Sequence, residues 1–223
     1  MSPYLPIIAI DGPAGAGKST VTKLVAARLG LLFLDTGSMY RAIAWLVLEA
    51  NLALDDELNI ARLVSQAKIA LAGEQVVVND IDVTEAIRTQ AVTSKVSAIA
   101  ALGVVRTELV KQQQAIGAQG GIVAEGRDMC THVFPQAQVK IFLTASVRER
   151  ARRRQQDLRD RGQGEVSLAE LERSIAERDA IDRNREISPL KKAVDAVEII
   201  TDNLSIEEVV EIIVNMYRQI VID

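Results

Sequence analysis

Nine residues, Gly12-Pro-Ala-Gly-Ala-Gly-Lys-Ser-Thr20, carry the most specific chemical signal in this 223-residue chain. Gly12-x4-Gly17-Lys18-Ser19 fits the pattern G-x-x-x-x-G-K-[ST]. Glycines at such a spacing let successive backbone N–H groups turn inward as a nest for phosphate oxygens. A helix starting there adds partial positive charge. Lys18 then reaches the terminal phosphates, and the Ser19 hydroxyl ligates Mg²⁺. Gly12, Pro13, Ala14, Gly15, Ala16, Gly17, Lys18, Ser19 and Thr20 are therefore expected to bind ATP. A GTPase would also need D-x-x-G and N-K-x-D; no Asp here has Gly three residues on, and Asn-Lys occurs nowhere. The chain is short for a motor or transporter ATPase, which leaves a small kinase.

The basic residues point the same way. Of 26, 18 are Arg and 8 are Lys. Seven Arg fall in residues 148–161 against three acids, a local +4 in a chain of net −4. Arg binds phosphate oxygens bidentately, so an Arg-rich stretch in an acidic chain suits a small anionic ligand better than a long polyanion. Transfer to a phosphate acceptor needs no general base. It needs cations that hold two anions together and neutralise the charge between them.

The elements that must position these residues alternate. Leu5–Ile10 reads as a buried parallel strand ending at Asp11, and 19–29 as a helix stopped by Gly30. Residues 31–34, 121–125, 139–143 and 197–201 read as four more strands, with helices at 38–50, 166–184 and 205–220. Five buried-type strands separated by helices give an α/β fold, a five-stranded parallel sheet covered on both faces. Residues 72–83 break the rhythm and alternate like a hairpin turning at Asn79-Asp80, with two helical patterns following to about Gly117. With 48% hydrophobic and 25% charged residues the chain has ample core, which excludes a mainly disordered or fibrous protein. One Cys and one His exclude a disulfide framework and a Cys/His zinc site, so the Cys130-x-His132 pair is not read as a metal site. The longest apolar run, Ala42–Leu48, is far below a membrane span, and Ile7–Ile10 is too brief for a signal peptide. A cytoplasmic location is expected.

Four further motifs fall in register: Asp35-Thr-Gly-Ser-Met-Tyr-Arg41, Glu125-Gly-Arg-Asp128, Val133-Phe-Pro135 with Lys140-Ile-Phe-Leu143, and Arg178-Asp-Ala-Ile-Asp-Arg-Asn-Arg185 with Ser188-Pro-Leu190. Together, over about residues 7–215, they resemble the bacterial cytidylate kinases. The resemblance implies the P-loop nucleoside-monophosphate kinase fold, with a small inserted hairpin-plus-helix subdomain and a short lid. It implies one kinase domain over 1–223: a core (about 1–61, 104–147 and 166–223), a monophosphate-binding insertion (about 62–103) and a lid (about 148–165). The implied activity moves the γ-phosphoryl of Mg-ATP to CMP or dCMP, with ATP and CMP/dCMP as partners, no nucleic acid or membrane, and a monomer.

By the same resemblance, Arg41, Arg127 and Arg185 clamp the acceptor phosphate beside Lys18, while Arg178, Asp182 and Ser97 hold the ribose. Asp128 accepts from the cytosine amino group, and Arg106 and Thr36 donate to its acceptors. Carboxylate to cytosine N4 is the usual pairing, and uracil would oppose it with a second acceptor. Lys18, Arg127, Arg185 and the lid residue Arg153 form the expected catalytic set. Among Arg148, Arg150, Arg152, Arg153, Arg154, Arg159 and Arg161, the sequence does not decide which closes over ATP, and Gly162-Gln-Gly164 would serve as hinge. Asp35 has two readings, an Mg²⁺ ligand or a cap for the next helix. Cys130 stands where the family usually has Gly, which questions the loop geometry beside Asp128. Two rival readings remain: another acceptor such as UMP or a non-nucleotide acid, and a non-enzymatic regulator whose Arg helix binds nucleic acid. Seven aromatics and the net charge argue against the second.

Overall fold

A computed structural model describes residues 5–160, 162 and 164–222; Arg161 and Gln163, part of the expected lid and hinge, lie outside the described residues. The chain divides into two compact units, one made of the chain through Phe33 and from Gly120 on, the other of Leu34–Gln119.

The first unit is built on a five-stranded sheet. In chain order its strands are β1 (Ile8–Asp11), β2 (Leu32–Asp35), whose last two residues begin the other unit, β6 (Ile122–Gly126), β7 (Val139–Thr144) and β8 (Val197–Ile200). They lie side by side as β2-β6-β1-β7-β8. β1 runs parallel to both neighbours, pairing Asp11 with Gly126 on one side and with Phe142 on the other. All four β1 residues are buried, so its sequence is continuously apolar until Asp11 instead of alternating. Ile8, Ile10, Val123, Val139, Ile141 and Leu143 pack against Val21 and Val25 of α1 (Lys18–Leu29) and against Val210, Ile213, Val214 and Tyr217 of α8 (Ile206–Ile222). A smaller apolar cluster, Ala151 with Leu171 and Ile175, joins α6 (Val147–Asp160) to α7 (Leu168–Asn184). A reciprocal Ser167–Glu170 capping box starts α7.

The second unit opens with α2 (Thr36–Glu49) and α3 (Glu57–Gln66). An antiparallel meander follows, β3 (Ile69–Ala72), β4 (Gln75–Val78) and β5 (Ile81–Asp82), then α4 (Gln90–Ala101) and α5 (Gly103–Gly117). The expected turn at Asn79-Asp80 is present, both residues at positive φ as a tight hairpin turn requires. The expected hairpin is one strand short: β3 pairs Ile69 with Val78 and Ala72 with Gln75. Ala-Leu-Ala at 70–72 offers little β-branched character, so that strand is held by its partner more than by its own preference. Val76, Val78, Val83 and Ile87 close this unit's core over Ala42 and Trp45.

Candidate active site

The phosphate loop joins β1 to α1, and two glycines have backbone reasons to be there. A Cβ on Gly12 would lie 1.9 Å from the Leu143 carbonyl oxygen, so only glycine lets the loop leave the sheet beside β7. Gly17, at φ +88, is the left-handed residue from which α1 springs. Lys18 curls back into its own loop, its Nζ donating to the carbonyls of Gly12 and Pro13 at 2.8 Å each. Burial, with the charge of Arg127 adding to it, pulls the Lys18 pKa down to about 7 against the opposing pull of Glu125 and Asp11. Ser19 and Thr20 stand exposed on the first turn of α1.

Two arginines of α6 support the loop. Arg150 is buried and forms a bidentate pair with Asp179 of α7, at 3.0 and 2.7 Å. It also donates to the Ala14 carbonyl at 3.1 Å and to the Ala145 carbonyl at 3.0 Å. Arg153, the expected lid residue, approaches the Ala16 carbonyl at 3.5 Å while bonded to Glu149 and to the hydroxyl and carbonyl of Thr201. The other lid candidates differ. Arg148 is exposed, Arg152 pairs with Glu149 on the surface, Arg154 is half-buried and Arg159 sits 3.6 Å from Glu165.

Beyond the end of β6 lies an acid–arginine cluster in the same unit. Arg127 Nε donates to Asp182 Oδ2 at 2.9 Å, and Arg185 Nη2 lies 3.8 Å from Asp128 Oδ1. Burial opposes the charge of Asp182, but Arg127, Arg178 and Arg185 outweigh it and hold that carboxyl below its ordinary pKa. Arg178 sits one turn before Asp182 on α7, near enough to Lys18 to repel its proton. Arg185 also donates to the Ser188 carbonyl at 2.6 Å. Lys18, Arg127, Asp128, Arg178, Asp182 and Arg185 thus lie near one another in one unit, beyond the strand ends.

Asp11 was legible only as the end of a strand. Its carboxylate accepts from the backbone N–H groups of Met129 at 2.7 Å and Cys130 at 2.8 Å. Burial, partly offset by these two bonds, raises its pKa to about 6. Cys130 fits the site that a glycine was expected to fill. Its thiol points at the Ala9 carbonyl (3.3 Å) and the Ile141 carbonyl (3.7 Å), and burial drives its pKa far upward, which makes it an inert packing group.

The second unit carries the remaining expected residues. Arg41 of α2 donates to the Ile87 carbonyl at 3.0 Å and to the Thr93 hydroxyl at 2.9 Å. Arg106 of α5 is buried, donates to the Ala100 carbonyl at 3.2 Å and lies 5.5 Å from the centre of the Tyr40 ring. Thr36 is the buried first residue of α2, and Ser97 is half-buried on α4. Asp35 caps α2: its two oxygens accept from the Ser38 N–H (3.0 Å) and hydroxyl (2.6 Å).

A family model described as cytidylate kinase matches residues 8–219. The chain belongs to the cytidylate kinase family. The resemblance drawn from the four motifs is thereby borne out. Similar curated proteins are the bifunctional pantoate ligase/cytidylate kinases of Nostoc sp., 62% identical over 221 residues, and Synechocystis sp., 60% identical over 221 residues. These alignments cover 96% of this chain but 41% and 43% of those proteins, so the chain spans about two-fifths of their length. A shikimate kinase structure from Acinetobacter baumannii overlays with a TM-score of 0.43 at 15% identity, covering 97% of this chain and 91% of that one. No helix among the described residues is long and apolar enough to cross a membrane.

Proposed function

We propose that the protein phosphorylates CMP and dCMP, passing the γ-phosphoryl of Mg-ATP in line to the acceptor phosphate and releasing ADP and the (d)CDP. The observation that carries this reading is the strand-end cluster. A phosphate loop with a buried lysine stands beside Arg127 paired with Asp182 and Arg185 facing Asp128. In this reading Lys18, Arg127, Arg185 and Arg41 hold the anions in register and offset the charge that develops during transfer. The acceptor oxygen is already ionised, so no residue is assigned as base. Arg153, braced against the loop at Ala16, serves the donor phosphates. Arg178, Asp182 and Ser97 bind the ribose. Asp128 accepts from the cytosine amino group, with Arg106 and Thr36 donating.

No group of three or more His, Cys, Asp or Glu among the described residues could hold a metal by itself. The exposed Ser19 hydroxyl fits a Mg²⁺ ion brought in by the nucleotide, since Mg²⁺ is usually bound through one or two protein oxygens plus substrate phosphates. That ion, when bound, screens the triphosphate charge. Asp35 is engaged in its helix cap through both oxygens, and Ser19, on the phosphate loop itself, is the preferred protein ligand. The enzyme is assigned as a cytoplasmic monomer acting without nucleic acid or membrane. The test is a coupled ADP-release assay over CMP, dCMP, UMP, AMP and shikimate. CMP or dCMP should lead by about tenfold or more in kcat/KM, the discrimination a polar base pocket supplies. A better rate with any other acceptor would overturn the assignment.

A further inference from the structure

In the parallel pairing, Asp11 stands level with Gly126, and each is the last residue of its strand. From Asp11 the chain enters the phosphate loop; from Gly126 it enters Arg127 and Asp128, then a single wide turn at Met129–Val133. That turn is not self-sufficient. The Asp128 carbonyl accepts from both His132 (2.8 Å) and Val133 (3.1 Å), and Phe134 bonds back to Met129 (2.7 Å). The N–H groups of Met129 and Cys130 point the other way, into the protein, where only the Asp11 carboxylate takes them. Asp11 is 1% exposed. An ionised carboxylate so deeply buried, within the field of Asp128, is costly, and it is retained across a separation of more than 110 residues from the turn it holds.

We infer that Asp11 is a positioning residue for base selection: by holding the Met129 and Cys130 amides it fixes the turn that aims the Asp128 carboxylate. Each Asp11 oxygen accepts from a backbone amide of the turn. The two N–H···O⁻ bonds are short and charge-assisted, so they fix orientation better than neutral ones would. The Cys130 thiol rests on the Ala9 and Ile141 carbonyls of β1 and β7, weak contacts beside the two charge-assisted bonds that the Asp11 carboxylate makes to the turn. Tilting the turn moves Asp128 relative to Arg185, and the discrimination between an amino group and a carbonyl oxygen at the same position of the pyrimidine depends on where that carboxylate lies.

This inference rests on the assignment of Asp128 as the cytosine reader, so the wild-type acceptor series is measured first; a wild type that does not prefer CMP defeats that assignment and leaves nothing for Asp11 to position. Given the preference, Asp11→Asn keeps the shape but turns an amide N–H₂ toward a backbone N–H. The CMP-to-UMP ratio of kcat/KM should fall about tenfold or more, a readout that the lost pull of Asp11 on the Lys18 charge does not move because it acts on both acceptors alike. Asp11→Ala, losing both bonds, should fall further, while Cys130→Ala, which leaves them intact, should keep the ratio. Alkylation of Cys130 by iodoacetamide should also accelerate in Asp11→Asn as the turn loosens. A folded Asp11→Asn enzyme with the wild-type ratio overturns the inference. Should both Asp11 variants fail to fold, amide hydrogen exchange on the wild type decides. Met129 and Cys130 are expected among the slowest amides, and exchange as fast as exposed loop amides refutes the anchoring.

Discussion

Removing the Asp179 carboxylate should be among the most damaging single changes outside the substrate contacts. Arg150 and Asp179 are joined by two bonds at 3.0 and 2.7 Å, with 3% of each side chain exposed. In Asp179→Ala the guanidinium stays buried, keeping only its bonds to the Ala14 and Ala145 carbonyls. Breaking one side of a buried pair costs about 3–5 kcal/mol, because the surviving charge is uncompensated. For a chain of this size each kcal/mol moves the melting temperature by roughly 2–4 °C, so a fall of about 6–20 °C is expected. Urea and thermal denaturation would measure it. The charge-neutral double variant Arg150→Met with Asp179→Leu should recover most of that stability, since two apolar side chains have no charge to strand. It cannot replace the bond to Ala14 in the phosphate loop, so its KM for ATP should stay raised while its melting temperature returns. A loss below about 1 kcal/mol in Asp179→Ala would refute the reasoning, as it would place the pair in the range of surface ion pairs. A double variant no more stable than the single would refute it too.

Other outcomes follow from single residues. Asp128→Ala should reduce CMP turnover by about a hundredfold or more with ATP affinity nearly unchanged, because it leaves the cytosine amino group without its acceptor; parallel loss of both, by steady-state kinetics and nucleotide titration, would mark Asp128 as structural. Gly12→Ala sets a methyl against the Leu143 carbonyl oxygen, and the variant should fail to bind ATP or to fold, read by nucleotide titration and circular dichroism. The Asp11 pKa, raised from 3.8 to about 6, gives a signed pH effect. The fold favours the protonated form, so the contribution is complete below about pH 4 and is lost as pH climbs through 6. Relative to Asp11→Asn, the wild type should therefore lose about 3 kcal/mol of stability between pH 4 and 6. A pH-independent difference between the two would contradict it. Lys18 has the opposite slope: burial has lowered its pKa to about 7, so the penalty for its charge is present below 7 and is relieved as pH rises toward 10.

The inner strands were legible because buried parallel strands are apolar and end at a charged residue or a glycine, as Ile8–Asp11 and Ile122–Gly126 do; the edge strands β2 and β8, read as buried too, are exposed or half-buried at all but one position each. The phosphate loop was legible because its chemistry demands particular residues at fixed spacing. What the sequence hid were side-chain pairings across long separations. Asp179 lies inside a run of alternating charges on α7, where a solvated salt-bridge face is the default reading, and nothing local marks one of those carboxylates as buried against α6. Arg150 was likewise one of seven arginines, distinguished only by the helical phase that turns it toward Ala14 while Arg148 and Arg152 face water. Asp11 shows the same limit. Its type and place were plain, but the two amides it holds belong to a turn whose width the sequence does not announce. The short β3 was hidden for a simpler reason, a weak strand preference rescued by pairing.

The order in which the strands are made has a consequence for the nascent chain. β1 is the middle strand of its sheet and the first to be synthesised, yet its neighbours β6 and β7 begin only at Ile122 and Val139. At roughly 5–20 residues per second, about 5–20 s pass before the ribosome delivers the first of them. Residues 34–119 meanwhile form a continuous segment that can close its own contacts. The apolar stretch leading into the phosphate loop must wait with both edges open. The loop waits longer still, since the carbonyl that wedges Gly12, the arginine that holds Ala14 and the aspartate that neutralises that arginine arrive in turn at Leu143, Arg150 and Asp179. The phosphate loop is translated before every residue that gives it its shape.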